Sequence, residues 1–195
     1  EIHWRLKQLL TGCLEEKLLL SDLDSLFNDL LLGQQSKKLP PIHKWQPTEK
    51  GEIDIEIKND GLWYHEKREI KRKEIVRLFA SILLKEKNSY FLVTPVQKLK
   101  IEVNDAPFIA INMEVKGKLP STDLLFETNV GDYVLLDKDH PIWMVGERPY
   151  IHVRNGLNAL LTRSAFYRLI DYAIEKNDQL WVKSSGESFT LGPIN

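Results

Sequence analysis

The sequence has a single cysteine, an almost balanced charge and no long apolar run, and each of these features excludes a class of protein. Cys13 is the only cysteine among 195 residues, which excludes an intramolecular disulfide and a thiolate metal cluster. Without disulfides, we expect a reducing compartment and therefore a cytoplasmic protein. The 27 basic and 28 acidic residues give a net charge of −1, which argues against a nucleic-acid partner. No apolar run approaches the roughly 20 residues of a membrane-spanning helix, so we expect no membrane partner.

The common catalytic motifs are missing as well. The sequence contains no nucleophile elbow, no phosphate-binding glycine loop, no dinucleotide-binding fingerprint and no zinc-protease helix motif. The histidines are far apart and share no metal-ligand spacing; they are His3, His43, His65, His140 and His152. We therefore assign no catalytic residue, no metal and no cofactor, and we regard an enzyme as the less favoured class.

Residues 1–38 are predicted to be a helical segment followed by a linker. Ser21 can begin a helix and Gly33 can end it, and the apolar residues between them recur at helical spacing. This apolar stripe consists of Leu23, Leu26, Phe27, Leu30 and Leu31. It could pack on the rest of the chain, or it could bind a partner or form a homodimer.

The remaining chain predicts an α+β fold with two small β-rich parts. Ile53, Ile55 and Ile57 alternate with polar residues as in a half-buried strand, and a turn at Gly61 leads into a second strand. A helix is predicted from Lys73 to Lys87, followed by many short strands, one more helix and a final hairpin. We therefore predict an N-terminal helix, an α/β roll over residues 39–88 and a barrel-like β-roll over residues 89–195.

A combination of short motifs resembles a proteobacterial family, domain of unknown function 1285. The resemblance covers residues 39–193 and is carried by Leu39-Pro40-Pro41-Ile42-His43, Trp45, Asp60-Gly61, Trp63, Arg72, Thr94-Pro95-Val96, Asp105-Ala106-Pro107-Phe108, Thr128-Asn129, His140-Pro141, Arg148-Pro149-Tyr150 and Val153-Arg154. It implies a two-domain protein with an α/β roll and a β-roll. It also implies no established enzyme activity and a regulatory role, for which signal transduction has been suggested.

Two positions depart from the pattern that the resemblance leads us to expect. Gln97 and Asn104 stand where we expect glutamates. Each change removes a carboxylate, so neither position can supply an acid or a base.

Polar and aromatic residues that lie far apart in the sequence could line a groove between the two parts. The predicted binding residues are His43, Trp45, Trp63, Arg72, His152 and Arg154. Arg72 lies in the basic segment that opens a helix, and His152 and Arg154 alternate on one strand, where they could hold an anionic group. The leading hypothesis is thus a binding or regulatory protein for a small anionic ligand or an unidentified protein.

Two alternatives use different residues. A hydrolase or isomerase could use carboxylates and imidazoles, with Asp54, Asp105, His140 and His152 as the candidates. This alternative needs two of the four side chains to lie within hydrogen-bonding distance in one site. An oligomeric scaffold would instead use the N-terminal helix.

Overall fold

The computed structural model describes residues 39–118 and 121–193. The predicted N-terminal helix and its linker, together with any dimer or scaffold role for them, lie outside the described residues. No helix within the described part of the chain is long and apolar enough to cross a membrane.

The first domain is built around a mixed sheet of six strands. A short 3-10 turn, Ile42–Lys44, precedes it. The strands are β1 (Glu49–Ile57), β2 (Trp63–His65), β3 (Arg68–Glu69), β4 (Leu83–Glu86), β5 (Ser89–Val93) and β6 (Gln97–Val103). Their order in the sheet is β3-β2-β1-β6-β5-β4, and only the central pair, β1 and β6, is parallel.

The predicted hairpin of β1 and β2 is confirmed. Ile55 and Ile57 are buried, and the two strands pair antiparallel with Ile57 opposite Trp63. The Gly61 backbone N–H donates to the Lys58 carbonyl at 2.8 Å. Gly61 has a φ of +77°, a conformation that glycine adopts without a steric penalty.

The first helix, α1 (Lys73–Ser81), follows β3 and is shorter than the sequence predicts. Its Phe79 ring lies 6.1 Å from the Trp63 ring on β2, so the helix packs on that face of the sheet. The predicted end at Lys87 is wrong because the apolar run continues into a strand, where Leu83 pairs with Leu92. Apolar residues at the end of a helix and at the start of a buried strand are alike in sequence.

The second domain contains a six-stranded sheet, a three-stranded sheet and one helix. The larger sheet consists of β7 (Phe108–Lys118), β8 (Ser121–Thr128), β9 (Tyr133–Leu135), β10 (Ile142–Val145), β11 (Arg148–Arg154) and β12 (Leu157–Leu161). Its order is β10-β11-β12-β7-β8-β9. Helix α2 (Arg163–Ile170) begins after Thr162, whose hydroxyl accepts the Ala165 N–H at 3.2 Å.

The smaller sheet holds β13 (Ile174–Lys176), β14 (Gln179–Ser184) and β15 (Glu187–Pro193), in that order. A fully buried hydroxyl joins it to the larger sheet, since Ser184 Oγ accepts the Leu124 N–H of β8 at 2.9 Å. The nearby Ser185 N–H donates to the Thr122 carbonyl at 3.3 Å. These bonds fix the smaller sheet against β8.

One apolar core runs through both domains. It includes Trp63 and Phe79 of the first domain and Phe108, Met113 and Phe126 of the second, each no more than 1% exposed. Burial of such large side chains is the main favourable term in folding. The two domains are therefore joined by packing as well as by the chain.

The predicted fold class, α+β with an α/β roll followed by a β-roll, is wrong for the described residues. The described residues are mostly strand, in three sheets, with only two short α-helices. The physical reason lies in residues 83–103, where β4, β5 and β6 complete the sheet that β1 begins. The boundary predicted at Asn88 falls between β4 and β5, which are hydrogen-bonded neighbours in that sheet.

Candidate functional site

A partly buried arginine joins the two domains. Arg154, at the end of β11, forms an ion pair through Nη1 with the Asp132 carboxylate in the turn between β8 and β9. Its Nη2 donates to the Ala80 carbonyl near the end of α1 at 2.9 Å, and its guanidinium lies 4.9 Å from the centre of the Phe108 ring. Only 15% of the Arg154 side chain is exposed. Arg154 is therefore an interdomain contact.

An asparagine forms a second interdomain contact beside it. Asn129 Nδ2 donates to the Gly61 carbonyl of the first domain at 3.1 Å, while its Oδ1 accepts the Ile109 N–H at 3.0 Å. A Cβ atom at Gly61 would lie 2.4 Å from Ile109 Cγ1 and 2.8 Å from Asn129 Nδ2. Glycine is thus required at this position by the space available as well as by its φ. We call the interdomain contacts of Arg154 and Asn129 the seam, and the two domains touch each other there.

The linker between the domains is clamped to β11 by a carboxylate. Asp105 Oδ2 accepts a hydrogen bond from Arg148 Nη2 at 2.6 Å, and Asp105 Oδ1 accepts one from the Tyr150 hydroxyl at 2.9 Å. The Trp143 ring of β10 stacks on Tyr150 with centroids 6.0 Å apart and an interplanar angle of 18°. Arg148 is the most exposed member of this group, with 48% of its side chain exposed.

The environment keeps the Tyr150 hydroxyl protonated. Burial raises the pKa of Tyr150 first, and the hydrogen bond to Asp105 and the charge of that carboxylate raise it further, against the opposing charge of Arg148. The phenol is therefore a hydrogen-bond donor at neutral pH.

Two histidines stack at the other end of the same strand face. The rings of His140 and His152 have centroids 6.0 Å apart and an interplanar angle of 23°. His140 Nδ1 lies 2.9 Å from Asp137 Oδ1, and His152 Nδ1 lies 3.0 Å from the Asp139 carbonyl oxygen. Both carbonyl and carboxylate groups belong to the loop between β9 and β10.

Asp137 is held in its ionised form. Burial is the largest influence and raises the pKa of Asp137, but the combined hydrogen bonds from the His140 side chain and from the backbone N–H groups of His140 and Asp139 lower it more. The net pKa lies below the ordinary value. An ionised Asp137 orients the His140 ring with Nδ1–H toward the carboxylate.

These groups define what we call the β11 strip, consisting of His140, Trp143, Arg148, Tyr150 and His152. The three residues on β11 alternate, so their side chains share one face of the strand. The strip lies beside the interdomain linker because Asp105 binds two of its members. Among the described residues, His140 Nε2 has no hydrogen-bonding partner.

The six predicted binding residues are not gathered in one place. His152 lies in the β11 strip and Arg154 in the seam next to it, whereas Trp63 is 1% exposed and packs in the core. Arg72 immediately precedes α1, and about 12 Å along the helix axis separates it from Ala80, which Arg154 contacts. His43 is exposed on the 3-10 turn, and Trp45 is half-buried against the core. Their binding roles stay predictions.

The candidates for the hydrolase or isomerase do not hydrogen-bond to one another. Asp54 is exposed on β1, Asp105 is bound by Arg148 and Tyr150, and His140 and His152 stack without a hydrogen bond. Within the described ranges no group of three or more histidine, cysteine, aspartate or glutamate residues could hold a metal ion. In the part of the chain that the structure describes, the one carboxylate–imidazole pair is Asp137 with His140.

Three residues of the β11 strip were not identified as site residues from the sequence: Trp143, Arg148 and Tyr150. The alternation of Arg148, Tyr150, His152 and Arg154 is visible in the printed sequence and could have indicated one polar strand face. The pairing of Asp105 with Arg148 joins positions 43 residues apart. No local pattern indicates such a pair, because the fold brings the two together.

The two departures from the expected pattern have a structural explanation. Gln97 Nε2 donates to Glu49 Oε2 at 3.0 Å, and Asn104 Nδ2 donates to Glu56 Oε1 at 2.9 Å. Both bonds run between β6 and its flanks and the neighbouring β1. A carboxylate at either position would face another carboxylate, which is unfavourable across paired strands.

The fold is that of a β-rich protein of two domains joined through a shared core and a polar seam. The family models agree with this division: the N-terminal domain of DUF1285, a domain of unknown function, matches residues 40–106, and the C-terminal domain of DUF1285 matches residues 107–191. The chain belongs to the DUF1285 family. The resemblance seen in the sequence is thus confirmed.

Solved structures of the same family are similar to this chain. A DUF1285 family protein from Silicibacter pomeroyi is 40% identical, with a TM-score of 0.78, and the match covers 85% of this chain and 95% of that one. A DUF1285 family protein from Shewanella baltica is 26% identical, with a TM-score of 0.51, covering 60% of this chain and 90% of that one. No curated protein matches.

Proposed function

We propose that this protein is a bacterial binding protein that holds a small anionic ligand on the β11 strip. The observation that carries the proposal is that Arg148, Tyr150 and His152 alternate along one strand face directly beside the interdomain linker. The proposed ligand lies on a surface next to the seam, and not in a groove between the domains, because Arg154 and Asn129 already occupy the seam.

The chemistry of the strip supports an anion with a flat or apolar part. Arg148 uses Nη2 for Asp105, and a guanidinium has five N–H donors, so others can bind a carboxylate or a phosphate. The half-buried Trp143 offers a flat apolar surface. His140 Nε2, which has no hydrogen-bonding partner among the described residues, adds a polar contact at the end of the strip away from Arg148.

We include a regulatory role in the proposal, for example in bacterial signal transduction, and a cytoplasmic location. The support for a role without catalysis is that no serine, cysteine or lysine side chain hydrogen-bonds His140 within residues 39–118 and 121–193. Asp137 orients the His140 ring in the way that a carboxylate orients a catalytic imidazole. A general base also needs a nucleophile or a substrate from which it removes a proton. The single cysteine supports a reducing compartment.

Binding to the strip can be tested by NMR titration of the ¹⁵N-labelled protein with three probes: inorganic phosphate, benzoate and adenosine monophosphate. We expect at least one ring-bearing anion to shift the amides of β10 and β11 and the Trp143 indole N–H. Arg148→Met should weaken that binding about tenfold, the effect of losing one hydrogen bond to a charged group.

Arg163→Met is the matched control, since Arg163 is an exposed arginine on α2. It should leave the affinity unchanged. Shifts confined to another surface, an Arg148→Met variant that binds as the unchanged protein does, or no shift with any probe at millimolar concentration would contradict an anion site on the strip.

A further inference from the structure

His152 uses both of its ring nitrogens, and this fixes its protonation state. The Gly156 backbone N–H donates to His152 Nε2 at 3.1 Å, so Nε2 must carry a lone pair. The proton of the neutral ring is then on Nδ1, which donates to the Asp139 carbonyl at 3.0 Å. The imidazole is therefore neutral in this hydrogen-bonding arrangement, in the Nδ1–H tautomer.

The Gly156 end of this arrangement belongs to a tight turn that lies next to the first domain. Asn155 and Gly156 have φ values of +47° and +76°, the two consecutive positive values of a two-residue hairpin turn between β11 and β12. A Cβ atom at Gly156 would lie 3.8 Å from Lys85 Cδ on β4. The Lys85 side chain therefore lies beside the turn, and Arg154, which contacts Ala80 of the first domain, immediately precedes the turn.

The Asp139 end belongs to the loop between β9 and β10, which also supplies His140. The His152 backbone N–H donates to the Pro141 carbonyl at 3.0 Å, so the loop is bound to β11 by both backbone and side chain. One imidazole therefore connects the loop, β11 and the turn that meets the first domain.

We infer that His152 is a pH-sensitive link, and that its protonation releases the Gly156 N–H and loosens the contact between the β11–β12 turn and the first domain. An imidazolium carries a proton on both nitrogens and cannot accept a hydrogen bond. Histidine is the side chain that gains a proton between about pH 8 and about pH 5. The Asp139 carbonyl can still accept Nδ1–H, so the change is directed at the turn.

Charged and titratable groups of the β9–β10 loop, of β11 and of β4 lie around His152 and its two hydrogen-bonding partners. The titratable or charged neighbours are Asp137, Asp139, His140, Tyr150, Arg154 and Lys85.

NMR on the full chain tests this directly, without any ligand. Long-range ¹H–¹⁵N spectra should show His152 as the Nδ1–H tautomer at about pH 7.5. The exchange of the Gly156 amide, corrected for the intrinsic effect of pH, should become about fivefold faster at about pH 5.5, as expected for loss of one hydrogen bond. Contacts between the Gly156 and Lys85 protons should weaken in parallel.

Variants assign the effect to one ring. His152→Gln cannot gain a proton, so its Gly156 exchange should not depend on pH after the same correction. His43→Gln, which removes an exposed histidine of the 3-10 turn, should retain the full response. His140→Gln should also retain it, which separates the two stacked rings.

Three results would overturn the inference: an Nε2–H tautomer for His152, Gly156 protection that is equal at both pH values, or a response that persists in His152→Gln. If His152→Gln does not fold, the tautomer and the Gly156 exchange of the unchanged protein still decide. The inference concerns hydrogen bonds within the chain, so its outcome is separate from that of the anion titration.

Discussion

Replacement of Gly61 by alanine is expected to lower the free energy of unfolding by about 3 kcal/mol. A left-handed backbone costs a non-glycine residue about 1–2 kcal/mol, and forcing a methyl group into packed surroundings costs about 1–3 kcal/mol. The new Cβ would meet Ile109 Cγ1 at 2.4 Å, across the seam between the domains. Urea unfolding followed by tryptophan fluorescence measures the loss.

Gly186→Ala is the matched control for the backbone term. Gly186 has a φ of +80°, close to that of Gly61, but nothing lies within 4 Å of its Cβ position. It should cost only about 1 kcal/mol. The double variant Gly61→Ala/Ile109→Ala should lose less stability than the sum of the two single variants. The reason is that the shorter side chain at position 109 no longer meets the new Cβ. Equal losses for the two glycine variants would show that the seam is not tightly packed at Gly61.

Arg154→Met is expected to lower the free energy of unfolding by about 2–3 kcal/mol. Methionine keeps an apolar stem over Phe108 but leaves the Asp132 carboxylate and the Ala80 carbonyl without the guanidinium. Removing one partner of a largely buried ion pair is costly, because the other charge remains without compensation. The same urea titration measures the effect.

The control and the double variant separate charge from packing. Arg168→Met removes an exposed arginine that donates to Asn112 Oδ1 at 3.1 Å, and it should change stability by less than about 0.5 kcal/mol. Adding Asp132→Asn to Arg154→Met should cost less than the sum of the single changes, since no uncompensated carboxylate remains. A loss for Arg154→Met as small as that for Arg168→Met would contradict the role assigned to Arg154.

The local elements were more predictable from sequence than their assembly. Alternating isoleucines and the turn at Gly61 predict the β1–β2 hairpin, because side-chain period and turn chemistry are local properties. The run that includes Leu83 was misread as helix, since an apolar residue does not reveal whether its partner is one turn away or on Leu92 of another strand. The sheet order therefore had to come from the structure.

The site shows the same division between local and distant information. His152 and Arg154 were predicted together because they alternate on one strand, yet Arg154 serves the seam and His152 serves a turn. Their partners Ala80, Asp132 and Gly156 are set by the docking of the two domains. Trp63, a predicted binding residue, is 1% exposed and packs in the core, where large aromatic side chains bury the most apolar area.

The shared core and the seam contacts indicate that the two DUF1285 domains form one cooperative unit, with the β11 strip held beside a closed seam. Differential scanning calorimetry of the chain tests this cooperativity. One transition, with equal calorimetric and van't Hoff enthalpies, is the expected result. Two separate transitions, one for residues 40–106 and one for residues 107–191, would contradict it.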